Sequence, residues 1–327
     1  MKAWVSLVLE IGFFFAWLLS LPLYGPLLER LASIRNAAPA SGLQFAEGHA
    51  LGLIALSTAL FLLAKRDRHE PDRLNRALEL GVVALCIAST VWLVSGQAPQ
   101  QPLALVICGI ASAGFVIPWT HRYVRVIPQN RRAAYMASAM AISNAIYGTF
   151  VFLGPTMSQN AILISSCLLL VLSGLLLLHP LGSPQPQTSQ VPAEAGSRLN
   201  SASHPGPAQA NTRAELNSER SRALRLLSLV LAFQMVAGFY YEVTIPQFSG
   251  IAALAAWDRW FRSLPYIASL PLAVYLRNHF GPALVALVAI VSMGTSYAIL
   301  PLLPPTASYF LTFSLIQAAF GLADVSL

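Results

Sequence analysis

Residues 161–178 read AILISSCLLLVLSGLLLL, eighteen consecutive positions without a charge. A run of this length approaches the roughly 20 apolar residues that a helix needs to cross the hydrocarbon core of a bilayer. There, every backbone N–H and C=O must find its partner within the protein, which makes such a run a helix. A membrane β-barrel would alternate apolar and polar residues, and this run does not. Nine more blocks of similar character lie at about 4–24, 48–64, 77–95, 103–120, 133–153, 224–241, 260–276, 282–301 and 307–327. The fold class expected is all-α: a polytopic transmembrane helical bundle.

Composition agrees. Of 327 residues 56% are hydrophobic and 10% charged, against about 25% charged in a soluble domain, whose surface must stay wet. The first block begins after Met1-Lys2, carries Glu10 and lacks a small-residue cleavage site, so it reads as a retained helix and not a signal peptide. Cys86, Cys108 and Cys167 all lie inside apolar blocks. Their spacing makes neither a metal site nor a disulfide framework, and they read as small core hydrophobes. No zinc pattern, phosphate-cradling glycine loop or G-x-S-x-G elbow is present, so neither an enzyme nor a cofactor is expected.

The cations divide unevenly between loops. With an N-terminus on the cytoplasmic side, 16 of the 20 Lys and Arg residues fall on that side and only Arg30, Arg35, Arg259 and Arg262 on the other. Positive charge marks the cytoplasmic loops of membrane proteins, which predicts this orientation. It also accounts for the net charge of +7 without a nucleic-acid partner. Residues 182–222 are rich in Pro, Ser, Gln, Ala and Asn, with few large apolar side chains. Such a segment cannot bury enough surface to offset its chain entropy, and a disordered cytoplasmic linker is expected. It is expected to separate six spans in residues 1–181 from four in 223–327, the tenth of which is expected to run past the sequence given.

Six spans, an inner linker and further spans resemble the major facilitator superfamily, whose two halves each hold six helices. More specific is the junction IPQNRRAAYMASAMAISNAIYGTFVFLGP, where Pro128, Arg131, Gly148, Gly154 and Pro155 stand as in that family's helix-packing motif. Within it Ala133, Ala137, Ala141 and Ala145 form a small-residue stripe that admits a close neighbour. The family's loop motif after span two is present in part as Asp67, Arg68 and Arg73. Its echo after span eight keeps Gly281, with Arg277 where an Asp is usual. Phe150 replaces a glycine of the antiporter-type cluster. The resemblance implies a secondary transporter of a small solute, embedded in the lipid of a bacterial inner membrane and working by alternating access.

Ionisable groups inside spans are costly, which marks them as functional candidates. Glu10 lies in span one, Glu242 at the outer end of span seven and Asp324 in span ten, with Gln234, Tyr240 and Tyr241 as polar neighbours. In the resembled family helices one, four, seven and ten line a central cavity. On that basis Glu10 and Asp324 are expected to face one polar cavity and to serve solute or proton binding. Span four offers only His121, at its inner end. Glu79 reads as a surface carboxylate at a helix start, and Trp257, Trp260 and Tyr266 as interface anchors. A second reading is a facilitator-like membrane sensor joined to a LuxR-type helix-turn-helix beyond these residues, which the partial loop motifs and FGLADVSL also resemble.

Overall fold

The computed structural model describes residues 3–23, 25–36, 42–66, 71–178, 261 and 263–326, with the backbone alone at 3, 42–43, 59–66, 71–78, 121 and 326. Among these residues there are ten α-helices and no strand. They are α1 (Ala3–Ser20), α2 (Pro26–Ile34), α3 (Gly42–Arg66), α4 (Pro71–Ser95), α5 (Gln101–Val126), α6 (Arg132–Leu153), α7 (Gln159–Leu177), α8 (Leu264–Phe280), α9 (Pro282–Ile299) and α10 (Pro305–Ser326). Five helical stretches are long and apolar enough to cross a membrane: Ala98–Val126, Gln129–Thr156, Gln159–Leu177, Pro282–Leu302 and Pro305–Val325. Trp4–Ser20 and Glu79–Ser95 are shorter apolar helices. Nine of the ten apolar blocks overlap one helix each. The seventh span and the linker at 182–222 lie outside the described residues.

The additional helix, α2, follows directly on α1. It is amphipathic, burying Pro26, Leu27, Leu28, Leu31 and Ala32 against α6, α7 and the turn at Gly154–Thr156. Gly25 allows the sharp reversal, since a Cβ there would stand 1.9 Å from the Ser20 carbonyl oxygen.

In the first group of helices α1 packs on α6 and α7, α3 on α5, and α4 on α5 and α7. In the second, α8, α9 and α10 pack on one another, and α6 touches both α8 and α10. The α3–α5 contact is the closest. A Cβ on Gly48 would lie 2.2 Å from the Val106 carbonyl oxygen, and one on Gly109 2.2 Å from that of Phe45. Gly48 and Gly52 are four residues apart and share a face, as do Gly109 and Ala113, so two small-xxx-small ridges meet. In the α6 stripe Ala133 and Ala137 are buried, Ala141 half-buried and Ala145 exposed.

Helix ends need partners for their last carbonyls. At the end of α4 these come from elsewhere in the chain: Arg35 donates to the carbonyls of Leu93 and Val94, and Gln159 Nε2 to that of Val94. Arg30 Nε donates to the Met157 carbonyl at 3.1 Å. Between α8 and α9 the connection is the single residue Gly281, whose φ of +84° suits glycine alone without strain.

Candidate functional site

Each of three helices carries a buried stripe at helical spacing that includes a charge. On α1 it runs Trp17, Phe14, Ile11 and Leu7 with Glu10 among them; on α4, Leu93, Thr90, Cys86 and Val83 to Glu79; on α5, Cys108, Ala111, Phe115 and Trp119 to Arg122. The packing of the stripes brings the three charges together. Arg122 Nη2 and Nη1 donate to Glu10 Oε1 and Oε2 at 2.5 and 3.3 Å, a two-pronged arrangement that a planar guanidinium suits. Arg122 Nε donates to Glu79 Oε1 at 3.0 Å. Glu10 is 1% exposed, Glu79 0% and the Arg122 side chain 13%.

The neighbouring layers are buried and aromatic. One turn from Glu10, Phe14 stacks on Phe115 with ring centroids 3.9 Å apart. Trp17 Nε1 donates to Thr90 Oγ1 at 3.1 Å, and Trp119 Nε1 to the Leu7 carbonyl at 3.3 Å. From α7, Ser173 Oγ donates to the backbone carbonyl of Glu10 itself, at 2.9 Å. Pro118, inside α5, has no N–H for the Gly114 carbonyl and stands one turn before Arg122. The cluster is therefore held from four helices, in the third turns of α1 and α4 and near the end of α5.

Two of its members were not expected from the sequence. Hydropathy groups Arg122 with the loop cations, but α5 runs to Val126 and keeps it within the helix. Glu79 is corrected from a surface carboxylate to a fully buried one. Since α4 begins at Pro71, Glu79 sits in its third turn and not at its start. The signal available in the sequence was the i, i+3, i+4 continuity of each charge with its own apolar stripe.

Asp324 lies elsewhere. Half-buried on α10, it accepts from Tyr266 Oη on α8 at 2.5 Å. Tyr266 is thereby corrected from an interface anchor to a buried partner of an acid. Among the described residues no hydrogen bond or ion pair joins Glu10 to Asp324. Arg277 Nη1 donates to the Val325 carbonyl at 2.5 Å. Of the packing-motif residues, Arg131 is exposed in the turn before α6. Gly148 stands opposite Ser263, while Gly154 is buried beside Pro26 and Pro155 is exposed. Gln234, Tyr240, Tyr241, Glu242, Asp67 and Arg68 lie outside the described residues, as do the side chains of Arg73 and His121. Among the described residues no group of three His, Cys, Asp or Glu side chains is placed to hold a metal ion.

The fold and site define a helical protein with several membrane-length apolar helices and a buried ionic cluster. Compared with known proteins, the chain matches no family model and no curated relative.

Proposed function

We propose that the chain is a secondary transporter of the major facilitator type, moving a small solute across a bacterial inner membrane with its N-terminus in the cytoplasm. The observation that carries the reading is the Glu10–Arg122–Glu79 cluster. Two carboxylates share one guanidinium in the protein interior, where each ion loses several kcal/mol of hydration even after relaxation. A group of acids held in this way is suited to gaining and losing a proton during a cycle. Asp324, bonded to Tyr266 on the other group of helices, supplies a third acid. The contacts of α6 with α8 and α10 give the two groups a surface along which to rock, as alternating access requires.

The test is flux into proteoliposomes with an imposed pH gradient, screened over sugars, amino acids, organic acids and cationic drugs. The expected result is accumulation of one solute class driven by the gradient in wild type. In Glu10→Gln that solute should exchange but no longer accumulate. If a solute binds the protein and none crosses the bilayer, the transporter reading fails and a membrane sensor takes its place. Gradient-driven accumulation undiminished in folded Glu10→Gln and Glu79→Gln would remove the cluster from the mechanism.

A further inference from the structure

α2 docks at the end of the first group of helices where α1, α4 and α6 finish and α7 begins. It has nine residues. An isolated helix of that length is marginal in water, so the order of α2 depends on what it docks against. Both of its ends are turning points. Before it stands Gly25, where a Cβ would collide with the Ser20 carbonyl oxygen. After it stands Asn36 at φ +51°, the one non-glycine with positive φ among the described residues, and asparagine adopts that left-handed conformation more readily than most. The helix is a short rigid piece between two bends.

Two arginines on this piece reach different helices. Arg30 Nε donates to the Met157 carbonyl, in the turn between α6 and α7, at 3.1 Å. Arg35, at the other end, donates through Nη1 to the Leu93 carbonyl at 3.4 Å and through Nη2 to that of Val94. Beneath them Leu27, Leu28, Leu31 and Ala32 are buried against α6, α7 and their turn. The acceptors on α4 are among the last carbonyls of a helix, which have no partner of their own within it and are satisfied equally well by water. Beside Gly25, Ser20 Oγ is buried without a hydrogen-bond partner, and a stranded hydroxyl of this kind gains when water reaches it. We propose that α2 is a strap that docks and releases as a unit, fastening the end of α4 to the α6–α7 turn when docked. Released, it opens that end of the helix group while the helices themselves stay folded, as the least stable part of a structure does. The inference is independent of the transport reading.

The experiment is hydrogen exchange of the full chain in lipid nanodiscs, read at residues 94–97, at the end of α4, and at 157–160, where α7 begins. Arg35→Gln removes the bonds to α4, and Arg30→Gln the bond to the turn. If α2 releases as a unit, each substitution speeds exchange at both segments by about tenfold, while residues 5–12 of α1 and 104–112 of α5 exchange as in wild type. Acceleration confined to the segment that the substituted arginine touches overturns the proposal, because α2 then carries two separate caps. Equal acceleration in α1 and α5 also overturns it, because the strap is then inseparable from the fold. A second measurement reads the strap directly, in a background where Cys167 is serine. Ala32→Cys, on the buried face of α2, is compared in its rate of alkylation with Ala104→Cys, buried in the first turn of α5. Ala32→Cys is expected to react about tenfold faster than Ala104→Cys, and faster again when combined with Arg30→Gln. Equal rates at the two positions overturn the proposal. Should Arg35→Gln fail to fold, Arg35→Lys takes its place in the exchange experiment, with a smaller effect at the same two segments.

Discussion

Arg122 on α5 grips Glu10 on α1 with both terminal nitrogens while its Nε is committed to Glu79 on α4, so one cation holds three helices at a common level. Removing that cation takes from two buried carboxylates the guanidinium they share. Arg122→Gln is expected to destabilise the protein by about 3–5 kcal/mol, the usual consequence of breaking a buried ion pair from one side. Replacing all three charges by glutamine is expected to restore much of the loss, because the buried carboxylates go with the cation. Thermal unfolding in detergent checks both. A triple variant less stable than Arg122→Gln would show that the cluster is held by something other than charge pairing.

Trp17 and Thr90 form a neutral counterpart two turns along α1. Thr90→Val removes the acceptor and leaves the indole N–H buried, at an expected cost of about 1–3 kcal/mol. Trp17→Phe in that background should add little through the hydrogen bond, so a double-mutant cycle reads the coupling. Additive effects would mean that the 3.1 Å contact contributes nothing.

The α3–α5 contact depends on absent side chains. A Cβ at Gly48 or Gly109 meets backbone oxygen at 2.2 Å, and backbone cannot swing aside as a side chain does. Gly48→Ala and Gly109→Ala are each expected to cost about 1–3 kcal/mol, the range for overpacking, and Gly48→Leu more. Gly294, with nothing within 4 Å of its would-be Cβ, is the control, and Gly294→Ala should leave the melting curve in place. Equal tolerance at all three would remove the close approach.

Topology is testable at the two ends of α6. Asn130 is exposed in the turn before it, and Asn160 is exposed in the first turn of α7, which follows it. In a background where Cys167, the one partly exposed native cysteine, is serine, Asn130→Cys should react only from the cytoplasm and Asn160→Cys only from outside. Labelling of both from one side would show that α6 does not cross.

Much of the helix order was legible from composition alone, because a chain that must satisfy its backbone in hydrocarbon has few options. The apolar blocks at 133–153 and 161–178 match α6 and α7 to within about two residues. The block at 103–120 did not reveal that α5 continues to Val126. Arg122 and Arg125 lower local hydropathy there, and hydropathy does not register that a buried partner compensates a charge. The same insensitivity hid Glu79. The short helix α2 was missed for a different reason: its nine residues are too few to span a bilayer, and its burial depends on α6, α7 and the turn that joins them.

The sequence by itself determined the all-helical class, the position of most helices and the candidacy of Glu10 and Asp324, since these follow from local hydrophobicity and from the cost of a carboxylate in an apolar run. Only the tertiary structure decided what those acids meet. Glu10 finds Arg122, 112 positions away, and Asp324 finds Tyr266, 58 positions away. Helical periodicity states which face a residue occupies, but it carries no information about the helix packed against that face. That choice rests on shape, here on glycines that let α3 and α5 touch and on aromatic stripes that align α1 with α5. The same packing turned one arginine counted among loop cations into the centre of the site.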